Sequence, residues 1–211
     1  MRKIIFILLF LSLTVLGVKF EEKIPEKYVN SIKYLIEKDI IKGFPDGSLK
    51  INWAITQSEL ITLISRCNIK YGKESIKSNF LDYLKDFYIK IKGFFKKENK
   101  LKFYQYQDKW FHPYLIEYAN ITGIDEKNIE PLLYVNIYEA LYYIIMASPF
   151  KGEIENIKLP LNDSDKAKIL ISAISHKYFV EGVSFKERIS RGDAFILIEN
   201  YLRKVEDAFN N

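Results

Sequence analysis

The side chains best suited to covalent or metal chemistry are scarce in this chain. It has one cysteine, Cys67, and two histidines, His112 and His176, in 211 residues. One cysteine forms no intramolecular disulfide and no multi-cysteine zinc site, and neither histidine stands at a spacing that marks a nucleophile and its base. Asp163 and Asp165 stand where a helix begins, and read as a cap and a first-turn acid rather than an acid/base pair. No P-loop, GxGxxG or HExxH pattern occurs. The residue that asks for chemistry is Arg191, one position after Ser190 at the start of a helical pattern. A cation there gains nothing from the helix dipole, whose positive end lies at the N-terminus. An anion would explain it, either a ligand or a surface carboxylate, because guanidinium meets a carboxylate with two parallel bonds. The expectation is a non-catalytic protein with no metal and no cofactor.

The elements that must position Arg191 recur. Three stretches share an amphipathic helix, a loop and a capped second helix, and they align on Gly43, Gly123 and Gly182. An aliphatic stands eight residues before each glycine: Leu35, Leu115 and Ile174. Runs such as Val29, Ile32, Leu35 and Ile36, or Ala167, Leu170, Ile171 and Ile174, have helical spacing and predict a core face. The glycines then mark left-handed helix exits. Thr56, Asn136 and Ser190 are the caps of the second helices, with Glu59, Glu139 and Asp193 three residues on. Ile55, Val135 and Ile189 precede the caps as apolar plugs. Four, five and eight residues after each cap come Leu60, Ile61 and Ile64, then Ala140, Leu141 and Ile144, then Ala194, Phe195 and Ile198. These positions share one helix face and predict the core. From glycine to cap there are 13, 13 and 8 residues.

The stretch from Lys27 to Arg66 resembles an S-layer homology repeat. Gly43-Phe44-Pro45-Asp46-Gly47 stands where that family has a GYPDG-like turn, and Ile55-Thr56-Gln57-Ser58-Glu59 where it has ITRAE. Ile189-Ser190-Arg191-Gly192-Asp193 is a second version of ITRAE, and Val135-Asn136-Ile137-Tyr138-Glu139 a more distant third. The resemblance implies a mainly α fold of three helix–loop–helix repeats in a three-pronged pseudo-trimeric bundle. It also implies binding of cell-wall polysaccharide, often carrying a pyruvate ketal, in grooves between the prongs. A ketal carboxylate suits the free N–H groups of a helix N-terminus. The residues carried over as the polysaccharide site are Arg191, Ser190, Gly43, Asp46, Gly47, Thr56 and Gln57. Arginine fills its motif position once; Gln57 and Ile137 replace it elsewhere.

The remaining sequence sets the context. An apolar content of 48% with 28% charged residues describes a folded chain. Arg2 and Lys3 followed by the apolar run Ile4–Val18 read as a signal peptide over residues 1–17, because fifteen residues reach only about 22 Å. Its removal takes the net charge from +5 to +3, too mild for a nucleic-acid partner. Residues 18–67, 108–159 and 160–211 are the three repeats, and 68–107 an insertion. The lysine-rich stretch Asn68–Lys109, net +6, places Phe80, Leu84, Phe87, Ile91 and Phe94 at helical steps. It predicts an amphipathic helix over Ser75–Lys97, packed on the bundle or, as the alternative, laid on anionic lipid. Trp53 and Trp110 have faces that stack on sugars, and their size assigns them to core or inter-repeat space. Cys67 reads as a small buried hydrophobe. The expected protein is exported to the cell envelope and binds cell-wall polysaccharide or peptidoglycan. The alternative is a scaffold with eroded sugar sites that contacts another envelope protein.

Overall fold

Among the described residues, capping chemistry and apolar periodicity produce six α-helices in three consecutive pairs. They are α1 (Glu26–Glu37) and α2 (Gln57–Tyr71), α3 (His112–Thr122) and α4 (Ile137–Met146), and α5 (Asp163–Ser175) and α6 (Arg191–Asn210). This computed structural model describes residues 22–71, 102–125, 128–179, 182, 183, 185 and 187–210. The fold is mainly α, and the described residues contain only isolated β-bridges. The segments read above as a signal peptide (1–17) and an amphipathic helix (75–97) lie outside the described residues.

The caps form as the residue types require. The Thr56 hydroxyl accepts from the Glu59 N–H at 3.3 Å while Glu59 accepts from the Thr56 N–H at 3.1 Å. Asn136 and Glu139 close the same reciprocal box, each bond 3.0 Å. At α5 the cap is Asn162, boxed with Asp165, and Asp163 is a first-turn acid, so the cap lies one residue earlier than the sequence reading placed it.

Helix exits depart further from expectation. Of the three aligned glycines only Gly123, at φ 72°, ends a helix in the left-handed region. The other two exits use Asp39 (φ 53°) and Lys177 (φ 58°), not Gly43 and Gly182. A side chain in that conformation is disfavoured. Here the return bonds offset the cost: Ile40 N–H donates to Leu35 O and Tyr178 N–H to Ala173 O, both at 2.8 Å. Ile40 and Tyr178 are then completely buried. Measured from these exits the loops to the caps are 17, 13 and 13 residues, so the first loop is long and the third is not shortened.

The second helices α2, α4 and α6 contact one another and form the centre. All nine residues four, five and eight after the three caps are 0% exposed. Each fully buried Leu, Ile or Phe among them contributes about 1.5–3 kcal/mol. Each first helix packs chiefly on the second helix of another pair: α1 on α6, α3 on α2 and α5 on α4. The plugs close this arrangement into a ring. Ile55 N–H donates to Ile189 O (3.1 Å), Ile189 N–H to Val135 O (3.0 Å) and Val135 N–H to Ile55 O (3.2 Å). At the other end of the second helices the Tyr201 hydroxyl joins Asn68 Oδ1 (2.7 Å) and Ala147 O (2.9 Å), tying α6 to α2 and to the end of α4.

Candidate ligand-binding cleft

Arg191 is the first residue of α6 and reaches across to the first pair. Its Nε donates to Leu49 O at 3.0 Å and its Nη1 to Glu59 Oε1 at 2.8 Å. The guanidinium lies 4.9 Å from the Phe44 ring centre and 5.7 Å from that of Phe195. With 12% of its side chain exposed, against 25% for Glu59, this is a part-buried strut between α6 and α2. Of the two partners the sequence leaves open for Arg191, a carboxylate of the chain is present.

The first N–H groups of α6 and α2 are taken up within the fold, where the resemblance implied that they meet an anion. Arg191 N–H donates to Trp53 O (2.8 Å) and Gly192 N–H to Ile51 O (2.9 Å). In the same way Gln57 N–H donates to Leu133 O (2.8 Å) and Ser58 N–H to Pro131 O (3.1 Å). The next N–H at each helix is taken by its cap, Asp193 by Ser190 Oγ (3.0 Å) and Glu59 by Thr56 Oγ1 (3.3 Å). The dipoles of α2 and α6 therefore work inside the fold, fastening each second helix to the loop of another pair. A ligand at these helices must be met by side chains.

Those side chains surround a cleft of about 250 Å³. Gly43, Phe44 and Pro45 of the turn form one wall, with Glu59, Thr62 and Arg66 on one face of α2, Arg191 from α6 and Trp110 ahead of α3. Three cations (Lys42, Arg66 and Arg191) face a single carboxylate, Glu59, among the lining residues. Arg66 is held by Ile40 O at 3.0 Å and lies over the Tyr114 ring, 5.2 Å from its centre. Thr62 is 1% exposed, and its hydroxyl has no hydrogen-bond partner among the described residues. The chemistry on offer is attraction of an anion between guanidinium groups beside an aromatic rim.

Of the sequence-assigned residues, Gly43 and Arg191 line the cleft. Asp46 and Gly47 shape the turn behind it. Asp46 Oδ1 accepts from the Ser48 hydroxyl (2.7 Å) and N–H (2.9 Å), which holds its carboxyl below the ordinary aspartate value, and Gly47 adopts φ 78°. Thr56 and Ser190 act as caps. Gln57, 5% exposed, is spent in the interface with the second pair, where its Oε1 accepts from Glu130 N–H (2.8 Å) and the Tyr143 hydroxyl (3.0 Å). Sequence reasoning missed Thr62, Arg66 and the second role of Glu59. The steps from 59 to 62 and 66 on one helix face carried that information. Neither tryptophan fills core space: Trp53 is 63% and Trp110 58% exposed.

Fold and cleft together define a helical module that presents a cationic, aromatic-rimmed groove. Residues 22–61 match the S-layer homology domain, a stretch that spans α1, the Gly43–Gly47 turn and the first turn of α2. S-layer homology domains are non-catalytic modules that anchor proteins to the cell wall. No curated protein matches the chain. Among the described residues no helix is long and apolar enough to cross a membrane.

Proposed function

We propose that this protein is an exported, non-catalytic envelope module that holds cell-wall polysaccharide in the Arg191 cleft. In this reading residues 1–17 direct export, and 18–67, 108–159 and 160–211 are three S-layer homology-type repeats in a pseudo-trimer. The hydrogen-bonded ring of Ile55, Val135 and Ile189 supports three equivalent units. The observation that carries the function is convergence: the turn of the matched segment and the one motif arginine, from opposite ends of the chain, meet in one cationic cleft. An acidic wall polymer is the ligand such a cleft selects.

Co-sedimentation with purified cell-wall sacculi tests this, using residues 18–211 and sacculi with and without their secondary polysaccharide. The wild type is expected to pellet with intact sacculi and not with stripped ones. Arg191→Ala is expected to stay in the supernatant at a temperature where its circular dichroism shows a folded chain. Equal pelleting of folded Arg191→Ala and wild type would remove the cleft from the reading. Pelleting with both kinds of sacculi would move the ligand to peptidoglycan, and hydrolysis of wall glycan by the pure protein would overturn the non-catalytic assignment.

A further inference from the structure

The two tryptophans of the chain stand at the surface, one at the rim of the cleft and one beyond it. Between Trp53 and the cleft lies Lys50, whose ammonium is 4.4 Å from the Trp53 ring centre and 4.1 Å from that of Phe44. Phe44 is also the ring on which Arg191 rests. Trp53, Lys50, Phe44 and Arg191 thus run in contact from open surface into the cleft, and Trp110 lines the cleft as well. Lys50 is set in place at a cost. It holds φ 52°, a conformation disfavoured for lysine. Glu22 keeps it there, accepting from the N–H groups of Leu49 (3.0 Å), Lys50 (2.8 Å) and Ile51 (2.9 Å). The Lys50 ammonium makes no close ion pair with a carboxylate among the described residues, and it acts on Asp46, whose carboxyl it helps hold down. A strained backbone that presents an unpaired cation against an exposed indole fits an anionic ligand with flat apolar faces.

We propose that Trp53 and Lys50 form an outer saccharide subsite, so that an acidic glycan is held over several sugars, stacking on Trp53 and continuing into the Arg191 cleft. This rests on the polysaccharide reading above and adds to it where the chain of sugars leaves the cleft. Sugar rings carry C–H faces that stack on indole, while their hydroxyls stay in water. Lys50 meets the acidic substituents, as Arg191 does within the cleft.

Because the chain has two tryptophans, replacing one lets fluorescence read the other alone. The titrant is polysaccharide released from sacculi, added to residues 18–211 as wild type, Trp53→Ala, Lys50→Gly and Trp110→Phe. Lys50→Gly keeps the left-handed backbone available while removing the cation. Trp53→Ala and Lys50→Gly are each expected to weaken binding about fivefold. In Trp110→Phe the remaining Trp53 emission is expected to shift on saturation. Wild-type affinity in both outer variants, with no Trp53 shift, would overturn the subsite and leave the cleft reading intact. Absence of wild-type binding would overturn both.

Discussion

The Arg191–Glu59 pair allows the structural and ligand roles of one residue to be separated. Arg191→Ala removes two bonds from a charged donor, to Glu59 and to Leu49 O. Each such bond is worth about 1.5–3 kcal/mol when shielded from water. The loss is moderated because Glu59 keeps its bond to the Thr56 N–H and faces an open cleft. A cost of about 3 kcal/mol is expected, small enough to leave a domain of ordinary stability folded. Glu59→Gln retains its one oxygen for the Thr56 N–H and turns an amide NH2, which cannot accept, toward Arg191, so it removes both the charge and the acceptor. A double-mutant cycle by urea unfolding should then give a coupling of about 1–2 kcal/mol. The binding arm goes in the opposite direction. Glu59 competes with an anionic ligand for the guanidinium, so Glu59→Gln should tighten polysaccharide binding while Arg191→Ala abolishes it. A coupling below about 0.5 kcal/mol would mean that the pair is screened like a surface salt bridge. Weaker binding by Glu59→Gln would refute the competition argument.

Gly192 lies against the Tyr28 ring, and a Cβ built there falls 2.7–2.9 Å from three ring atoms. The ring is fixed by its 2.9 Å bond to Asp193, so Gly192→Ala should cost about 1–3 kcal/mol in chemical denaturation, and a loss near zero would show that Tyr28 is free to move. Burial pushes the Cys67 thiol up, so dithionitrobenzoate should label the chain in urea but not in its native state; fast native labelling would contradict the buried placement. Burial raises the Glu206 carboxyl, but bonds from Lys38 and Tyr34 outweigh this and hold it below the ordinary glutamate value. Its contribution is therefore full above the unfolded-state value, near pH 4.5, and lost as pH falls through the lower folded value. Glu206→Gln should cost stability at pH 7, with the gap to wild type closing by about pH 3; a gap independent of pH would refute the linkage.

The second helices were legible because their caps and cores are local. Thr56 with Glu59 and Asn136 with Glu139 lie within one turn, and the residues four, five and eight further on bury completely. The first helices were legible in part: Leu35 and Leu115 are buried and Gly123 is a left-handed exit, but the other two exits use Asp39 and Lys177, whose left-handed backbone depends on tertiary burial of Ile40 and Tyr178 rather than on glycine. Aligning on Gly182 selected the wrong stripe in α5. Ile171 is 66% and Ile174 54% exposed, whereas Ile169 and Ala173 are buried. That helix has apolar residues at 167, 169, 170, 171, 173 and 174, so its periodicity alone does not choose the face. At the cleft, the need of Arg191 for an anionic partner was legible and the identity of that partner was not. Glu59 lies 132 residues away, and its capping role accounted for it completely within its own turn.

The ring explains why the cleft is assembled from distant parts of the chain. α1 rests on α6, and the start of α6 donates its first two N–H groups to the segment 51–53 that precedes α2. Lys27 and Tyr28 on α1 both reach Asp193, so the same turn of α6 is held from a second side. Arg191 therefore enters the wall made by Gly43, Phe44 and Glu59 only when the two ends of the chain have met. In a linear array the terminal units would need separate capping surfaces. Here the first and last of the described helices cover each other instead. One motif arginine is consequently enough to complete one such cleft, while Gln57, in the matching position of the first pair, serves to hold the interface shut.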